Sequence, residues 1–171
     1  MAKIELQNIA HSYNPQAAEK TYALNPFNMT WVDSGRYAIL GPSGCGKTTM
    51  LNIMSGIVQP SEGKLLFDGV DVTTLSTSER NIAQVFQFPV IYGTMTVEQN
   101  LAFPLVCRNY ERPAIDAKVQ EVAEALRLQG LLKKSASRLT ADQKQLISLG
   151  RGLVRDDVAA VLMDEPLTVI D

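Results

Sequence analysis

The chain of 171 residues is long enough for one domain with a substantial hydrophobic core. A hydrophobic fraction of 46% and a charged fraction of 20% are typical of a globular protein, and a formal net charge of -2 argues against a nucleic-acid partner. No apolar run approaches the ~20 residues of a membrane span, and the opening MAKIELQNIA lacks the pattern of a signal peptide.

The first half of the chain predicts strands around one glycine-rich loop. KIELQNI alternates apolar and polar residues and indicates a half-buried strand, while MTWV and YAIL predict two more strands on either side of a DSG turn. A helix is expected after the loop, from Thr48 to about Met54. KLLF-DG-VDV predicts a hairpin with Asp68-Gly69 as its turn. NIAQVFQ predicts a strand that ends at Gln87.

From Phe88 onward the pattern changes from strands to helices. TVEQNLAFPL predicts a short helix that stops before Pro104. RPAIDAKVQEVAEALRL predicts an amphipathic helix with Pro113 in its first turn. SRLTADQKQLISLGRGLVR predicts a third helix, with Thr140 as N-cap and Gln143 completing a capping box. AAVLM then predicts a buried strand that is followed by DEP.

Strand-forming sequence at both ends of the chain encloses this helical block. We therefore expect one α/β domain, in which residues 1–88 and 158–171 form the core and residues 89–157 form an inserted helical subdomain. Cys45 and Cys107 are too few for a disulfide framework or a metal cluster, so reduced thiols are expected. The single histidine, His11, is expected in an exposed loop.

The strongest motif is GPSGCGKT, residues 41–48, which fits G-x-x-x-x-G-K-[ST] between a predicted strand and a predicted helix. Its glycines let the backbone N–H groups wrap around phosphate, and the helix N-terminus adds partial positive charge. Lys47 is expected to reach the β- and γ-phosphates, and the Thr48 hydroxyl to bind Mg²⁺. A chance match in a flexible loop is the alternative, which the strand–loop–helix context disfavours. The remaining residues of the expected phosphate-binding set are Gly41, Ser43, Gly44, Cys45, Gly46 and Thr49.

A pair of acidic residues follows the last predicted strand. In AAVLMDEP the strand ends in Asp164, which can hold Mg²⁺ through water. Glu165 comes next and could orient or deprotonate an attacking water. The alternative is a strand end solvated by two acids, and the phosphate-binding loop upstream disfavours it.

In this order along the chain, GPSGCGKT, VFQ, LTADQKQLISLGRGLV, VLMDEP and LTVID resemble the nucleotide-binding subunit of ABC transporters, and the resemblance covers nearly the whole chain. It implies a P-loop NTPase fold with a RecA-like core and an N-terminal antiparallel β part. It also implies hydrolysis of ATP with Mg²⁺, and a peripheral position at the cytoplasmic face of the membrane, bound to transmembrane permease subunits.

A narrower resemblance concerns the transported solute. FQFPVIYGTMTVEQNLAFPL with ISLGRGLVR looks like importers of sugars, polyols or glycerol phosphate. Two alternatives are a soluble ABC-type ATPase of repair or translation and a non-catalytic nucleotide-binding partner. The acidic pI of about 5.5 disfavours the first, and an altered signature motif, described below, favours the second.

The resemblance also implies roles for residues outside the two motifs. Gln87 matches the glutamine of the Q-loop, which contacts Mg²⁺ and the attacking water, so the implied catalytic set is Glu165, Gln87 and Lys47. Tyr13, in HSYN, matches the aromatic residue that stacks on adenine, and Asp171 matches the D-loop aspartate at the dimer interface. The alternative for Tyr13 is a packed tyrosine at a strand end, and for Gln87 a polar strand end.

LTADQ occupies the position of the family's signature motif, usually Leu-Ser-Gly-Gly-Gln, which caps the γ-phosphate of ATP held by the opposite subunit. Thr140 keeps the hydroxyl and Gln143 matches, so both join the expected nucleotide-binding set. Ala141 and Asp142 replace the two glycines, which crowds the surface and brings negative charge towards a polyanion. We therefore expect a poor signature half-site and a second ATPase subunit that is a different chain.

The family's switch histidine lies beyond the D-loop, and the sequence stops at Asp171, with His11 at the wrong end to replace it. We therefore expect a C-terminally truncated, incomplete ATPase domain. Such a chain would bind nucleotide but hydrolyse it poorly by itself, and its unfinished sheet edge would compromise folding.

Overall fold

The computed structural model describes residues 1–16, 21–168 and 170. The chain divides into two compact units: unit 1 comprises Met1–Ile82 and Asp157–Leu162, and unit 2 comprises Ala83–Asp156 and Met163–Asp171. The division predicted from the sequence, with the helical subdomain at residues 89–157, stays a prediction.

Unit 1 contains a four-stranded antiparallel sheet in the order β2-β1-β3-β4. The strands are β1 (Ile4–His11), β2 (Leu24–Trp31), β3 (Glu62–Phe67) and β4 (Val70–Asp71). Ile4 lies opposite Trp31 on β2 and Phe67 on β3. The predicted alternation of β1 holds from Ile4 to Leu6 and then stops at a bulge, where Asn8 has a φ of 49°. The predicted antiparallel β part is therefore confirmed.

The predicted hairpin between β3 and β4 is also confirmed. Asp68 and Gly69 have φ values of 50° and 81°, as a two-residue turn between twisted strands requires. The turn is tied to the start of the chain, since the Lys3 N–H donates to Asp68 Oδ1 at 2.8 Å.

The helix predicted after the glycine-rich loop is present as α1 (Lys47–Ser55) and ends at Gly56, whose N–H donates to the Ile53 carbonyl. Its buried residues share one hydrophobic core with the sheet and with Leu162. The members of this core are Ile4, Leu6, Ile9, Leu24, Trp31, Met50, Leu51, Ile53, Met54, Leu65, Phe67, Val72 and Leu162.

The strand predicted for YAIL is wrong, because residues 37–40 form no strand in the described part of the chain. Leu40 is 90% exposed. An apolar run becomes a strand only where neighbouring strands satisfy its backbone groups, and the two described sheets contain no strand paired with these residues.

Arg80 fixes the C-terminal end of α1. Its side chain is fully buried and donates four hydrogen bonds to backbone carbonyls. Nη1 donates to Ile53 at 2.5 Å and to Met54 at 3.4 Å, Nη2 to Thr73 at 2.6 Å and Nε to Leu75 at 3.0 Å. Burial lowers the pKa of the Arg80 guanidinium. The helix that carries the glycine-rich loop is therefore tied to residues 73–75.

A second sheet contains β5 (Ile82–Val85) and β6 (Ala160–Met163). The strand predicted from AAVLM is confirmed as β6, but only Leu162 of its four residues is buried. The strand predicted to end at Gln87 ends at Val85 instead. The Asp164 N–H donates to the Val85 carbonyl at 2.9 Å, directly after β6.

Unit 2 is built on three helices, α2 (Val97–Val106), α3 (Arg112–Ala125) and α4 (Ala141–Leu153). The structure confirms α3 with Pro113 at its start, and α4 with Thr140 as N-cap. The apolar faces of the three helices form one core together with the segment that precedes α4. The members of this core are Val97, Leu101, Leu105, Ile115, Val119, Val122, Ala123, Leu128, Leu132, Ala136, Ile147 and Val154. Among the described residues, no helix is long and apolar enough to cross a bilayer.

The prediction that α2 stops before Pro104 is wrong, because the helix continues to Val106. Proline removes one backbone hydrogen bond of the helix. Leu105, directly after it, is 0% exposed, and the Cys107 N–H still donates to the Phe103 carbonyl at 3.0 Å. Burial of Leu105 in the core offsets the missing bond.

Candidate functional site

The GPSGCGKT loop leads into the N-terminus of α1 in unit 1. Gly44 and Gly46 have left-handed φ values of 80° and 94°. A Cβ on Gly46 would lie 2.6 Å from the Ala23 carbonyl oxygen, so a side chain is excluded there. The loop is exposed from Gly41 to Cys45, and it precedes a helix start whose first N–H groups have no intrahelical acceptor.

Lys47 lies back against this loop. Its Nζ donates to the carbonyls of Gly41 at 2.8 Å and Pro42 at 2.9 Å, and it lies 3.9 Å from Cys45 Sγ. Carbonyl oxygens are weaker partners for an ammonium group than phosphate oxygens. A phosphate bound by the loop would therefore compete for the ammonium group without any change of helix α1.

The chemistry of unit 1 fits a triphosphate and Mg²⁺. The loop offers backbone N–H groups, a helix N-terminus and a lysine for phosphate, and the exposed Thr48 and Ser43 add hydroxyl oxygens. Mg²⁺ is usually bound by one or two protein oxygens together with phosphate oxygens and water. The described residues contain no cluster of three or more His, Cys, Asp or Glu side chains, and this mode of binding requires none.

Tyr13 lies beside the same helix. Its ring is 65% exposed, and its hydroxyl is 3.1 Å from Oγ1 of Thr49, a buried residue of α1. His11 packs against the Tyr13 ring with centroids 4.5 Å apart and the planes at 86°. The expectation of an exposed His11 is wrong, because it closes β1 opposite Leu24 and is only 8% exposed.

Unit 2 brings Gln87 of the VFQ motif against Glu165 of the VLMDEP motif, directly after Asp164. Gln87 Nε2 donates to Glu165 Oε2 at 3.1 Å, across 78 positions of sequence. Asp164 is buried, whereas Glu165 is exposed with a left-handed φ of 44°. A non-glycine residue in this conformation is strained, as is common where a side chain is held for function. The Thr168 hydroxyl donates to the Glu165 carbonyl at 3.0 Å and fixes this turn.

The predicted capping box at the start of α4 is confirmed, with the Thr140 N–H donating to Gln143 Oε1 at 3.3 Å. A hydrogen bond from the Thr140 side chain lowers the pKa of the Asp142 carboxyl below its usual range. The Thr140 side chain, which was expected to face a γ-phosphate, takes part in this capping box. A carboxylate stands beside it at the helix N-terminus.

The two units therefore each collect part of the predicted site. Unit 1 places Tyr13 and residues 41–49 at one end of α1, and unit 2 places Gln87 against Glu165. Asp171, the predicted interface aspartate, lies outside the described residues. The roles assigned to these residues stay predictions.

Gln145 is a candidate residue that the sequence analysis missed. It is 0% exposed in α4, and its Nε2 donates to the carbonyls of Phe86 at 3.1 Å and Pro166 at 3.0 Å. These residues directly flank Gln87 and Glu165, so one side chain fixes both segments. Helical spacing could have found it, because Gln145 shares a face with the buried Ser148 and Gly152.

Sequence comparison connects the chain with one family. The family model described as ABC transporter matches residues 24–168. The trehalose import ATP-binding protein SugC of Mycobacterium tuberculosis is 40% identical over 171 residues, which is 100% of this chain and 42% of SugC. The sn-glycerol-3-phosphate import ATP-binding protein UgpC of Escherichia coli K12 is 36% identical over 100% of this chain and 47% of UgpC. The chain therefore spans less than half the length of these curated relatives.

Comparison with solved structures leads to the same family as the sequence comparison. A solved ATP-binding cassette, in a dimeric post-hydrolysis state with ADP and Pi, matches 98% of this chain and 76% of its own with a TM-score of 0.85 and 25% identity. The predicted α/β fold of the P-loop NTPase class is confirmed by this likeness.

Proposed function

Because this chain belongs to the family of ABC transporters, we propose that it is the ATP-binding and ATP-hydrolysing part of an importer subunit. The observation that carries the proposal is the 3.1 Å hydrogen bond between Gln87 and Glu165, directly after the buried Asp164. A base, an amide that orients water and a carboxylate for the metal are the groups that phosphoryl transfer to water needs. The GPSGCGKT loop of unit 1, the P-loop of this chain, supplies the phosphate-binding groups.

Each residue has a defined part in this proposal. Lys47 and the backbone N–H groups of residues 41–48 would bind the phosphates, Thr48 and Asp164 would hold Mg²⁺, and Gln87 would contact Mg²⁺ and the attacking water. Glu165 accepts the proton of the attacking water. When bound, Mg²⁺ neutralises the charge on the β- and γ-phosphate oxygens. Tyr13 stacks on the adenine, and Asp171 contacts the second ATPase subunit.

We propose import of a sugar, polyol or glycerol-type solute, because the names of the relatives refer to trehalose and sn-glycerol-3-phosphate import. Transmembrane permease subunits would carry the solute, and this subunit would bind them peripherally at the cytoplasmic face. Their docking surface would lie next to Gln87 in unit 2. There, a cavity of about 190 Å³ is lined by Phe86, Val90, Pro104 and Arg151, among others.

We further propose that the second ATPase subunit is a different chain. The support is the start of α4, where the Asp142 carboxylate lies in the first turn of the helix, two residues after the N-cap Thr140. An anion that approaches this helix would meet a negative charge and two side chains where glycines would leave space. In such a pair, the site that needs this signature is impaired, while the P-loop of this chain completes the other site.

The test is Mg-ATP binding and turnover by this chain alone and mixed with a candidate partner ATPase. We expect turnover only in the mixture, and its loss with Glu165→Gln but not with Glu124→Gln, a control on the exposed face of α3. Unchanged turnover with Glu165→Gln would identify a non-catalytic nucleotide-binding partner instead. Absence of Mg-ATP binding would refute the proposal altogether.

The asymmetric pair has a separate test. Replacing both Ala141 and Asp142 by glycine should restore the signature half-site and raise turnover by the chain without its partner. Full activity of the unmodified chain as a homodimer with two equivalent sites would refute the asymmetry and leave the ATPase proposal standing.

A further inference from the structure

We infer that His11 and Thr49 are positioning residues that hold the Tyr13 ring as a platform for the nucleobase. The inference rests on the proposed nucleotide function of unit 1 and deepens it. It concerns two side chains that the sequence motifs do not explain, the buried His11 and Ser61, and it gives Thr49 a contact with Tyr13 in addition to its place in the expected phosphate-binding set.

The first contact ties the tip of the Tyr13 ring to the P-loop helix. The Tyr13 hydroxyl lies 3.1 Å from Thr49 Oγ1. Thr49 is 8% exposed, and it follows Thr48, whose hydroxyl is proposed to bind Mg²⁺. The tip of the ring and the phosphate loop are therefore fixed to the same turn of α1, so the distance between them is set by a rigid element.

The second contact fixes the plane of the ring. His11 packs perpendicular to Tyr13, at 86° and 4.5 Å between centroids. His11 itself is held by β1, where it pairs with Leu24, and by Ser61, whose Oγ lies 3.4 Å from His11 Nδ1. Its Nε2 is buried with no hydrogen-bond partner among the described residues. His11 therefore serves Tyr13 as a packed ring, at some cost in unsatisfied polarity.

These two contacts leave most of the Tyr13 ring exposed, at 65%. A ring that is already fixed loses little conformational entropy when a flat ligand stacks on it. An aromatic base gains from this, whereas a triphosphate without a base does not touch the ring. The inference therefore predicts that the contacts matter for ligands with a base and not for ligands without one.

The test compares Mg-ATP with Mg-tripolyphosphate as ligands of the intact chain. Each ligand raises the unfolding midpoint by an amount that grows with the logarithm of the ratio of ligand concentration to Kd, so the midpoints at known concentrations give the affinities. The fluorescence of Trp31, the only tryptophan, reports unfolding of unit 1. Tyr13→Phe removes only the hydroxyl, and His11→Ala removes only the perpendicular ring. Each should weaken Mg-ATP about two- to tenfold, the range for one hydrogen bond or one aromatic pair, and leave Mg-tripolyphosphate unchanged.

Two further variants separate positioning from general stability. His11→Phe restores a ring beside Tyr13 and should recover Mg-ATP affinity relative to His11→Ala. Tyr22→Phe removes another tyrosine hydroxyl of unit 1, bonded to Glu62 at 2.7 Å, and should change neither ligand.

Equal weakening of both ligands by Tyr13→Phe and His11→Ala, or no effect on Mg-ATP, would overturn the inference alone. Failure of the unmodified chain to bind either ligand would overturn the proposed function and the inference with it.

Discussion

Replacing Arg80 by methionine should destabilise unit 1 by about 3 kcal/mol, as worked out from its hydrogen bonds. The guanidinium is 1% exposed and donates to the carbonyls of Ile53, Thr73 and Leu75 at 2.5–3.0 Å. Because Ile53 lies in the last turn of α1, the cation is also at the negative end of the helix dipole.

The magnitude follows from the carbonyls that lose their donor. Ile53 keeps a second donor, the Gly56 N–H at 3.2 Å, whereas Thr73 and Leu75 lose the guanidinium. Thr73 and Leu75 are half-buried, so each of these carbonyls without its charged donor costs about 1–2 kcal/mol, the lower part of the range for a buried group. Methionine recovers part of this loss through apolar contacts and through the removal of a buried charge. Arg80→Lys keeps the charge but not the planar fork, so it should cost about 2 kcal/mol.

Urea unfolding followed by Trp31 fluorescence measures this loss, because Trp31 is buried in unit 1. Arg36→Met is the control, since Arg36 is exposed and should change the free energy of unfolding by less than about 0.5 kcal/mol. A loss under about 1 kcal/mol for Arg80→Met would refute the reasoning, because the carbonyls would then not depend on the guanidinium.

Three other predictions test the local geometry. Gly150→Ala should destabilise unit 2 by about 1 kcal/mol, because the new Cβ would lie 2.6 Å from Leu101 Cδ2 and this overpacking outweighs the gain in helix propensity. Urea unfolding followed by circular dichroism measures the change, and a stabilised variant would contradict the prediction. The Thr73 hydroxyl and N–H hold the pKa of Asp71 below its ordinary value. The ionised Asp71 therefore contributes fully to the free energy of unfolding above its unfolded pKa, and this contribution is lost as pH falls through its folded pKa. Asp71→Asn should therefore destabilise more at about pH 7 than at acid pH, below the ordinary pKa of an aspartate, and equal losses would contradict this. Gln145→Leu should lower turnover of the ATPase mixture at least about tenfold, at unchanged Mg-ATP affinity, because it releases the segments around the catalytic pair; an affinity loss with intact turnover would contradict this.

Features that depend on a few neighbouring residues could be predicted from the sequence. The Asp68-Gly69 turn, Pro113 at the start of α3 and the Thr140–Gln143 capping box all have the predicted conformation. Each rests on backbone geometry or a hydrogen bond within three or four residues, so no distant partner is required.

Features that depend on distant partners were predicted less well. YAIL has the composition of a strand but no described strand pairs with it, and α2 passes Pro104 because Leu105 is buried by residues far along the chain. His11 is buried for the same reason, through contacts with Leu24 and Ser61. Composition and periodicity do not show which surfaces will cover a residue.

The candidate site also combines a feature that could be predicted from local sequence with features that depend on distant partners. The phosphate loop could be predicted from GPSGCGKT alone, whereas the contact between Gln87 and Glu165 joins residues 78 positions apart, and only the family resemblance suggested that they act together. Gln145 was missed because a glutamine on a helix usually faces solvent. Gln145 can be buried because its side-chain amide donates to the carbonyls of Phe86 and Pro166, which are distant in sequence.

The start of α4 shows why a good local structure and a good binding site need not coincide. For the helix, Asp142 in the first turn is favourable, because its charge lies near the positive end of the dipole. For a phosphate, the same charge is unfavourable, because the anion would have to use that end of the dipole itself. Two glycines would weaken the helix and open the site. The sequence here stabilises its own helix where the family pattern leaves space for a ligand, which is the physical basis for proposing that a different chain supplies the competent signature.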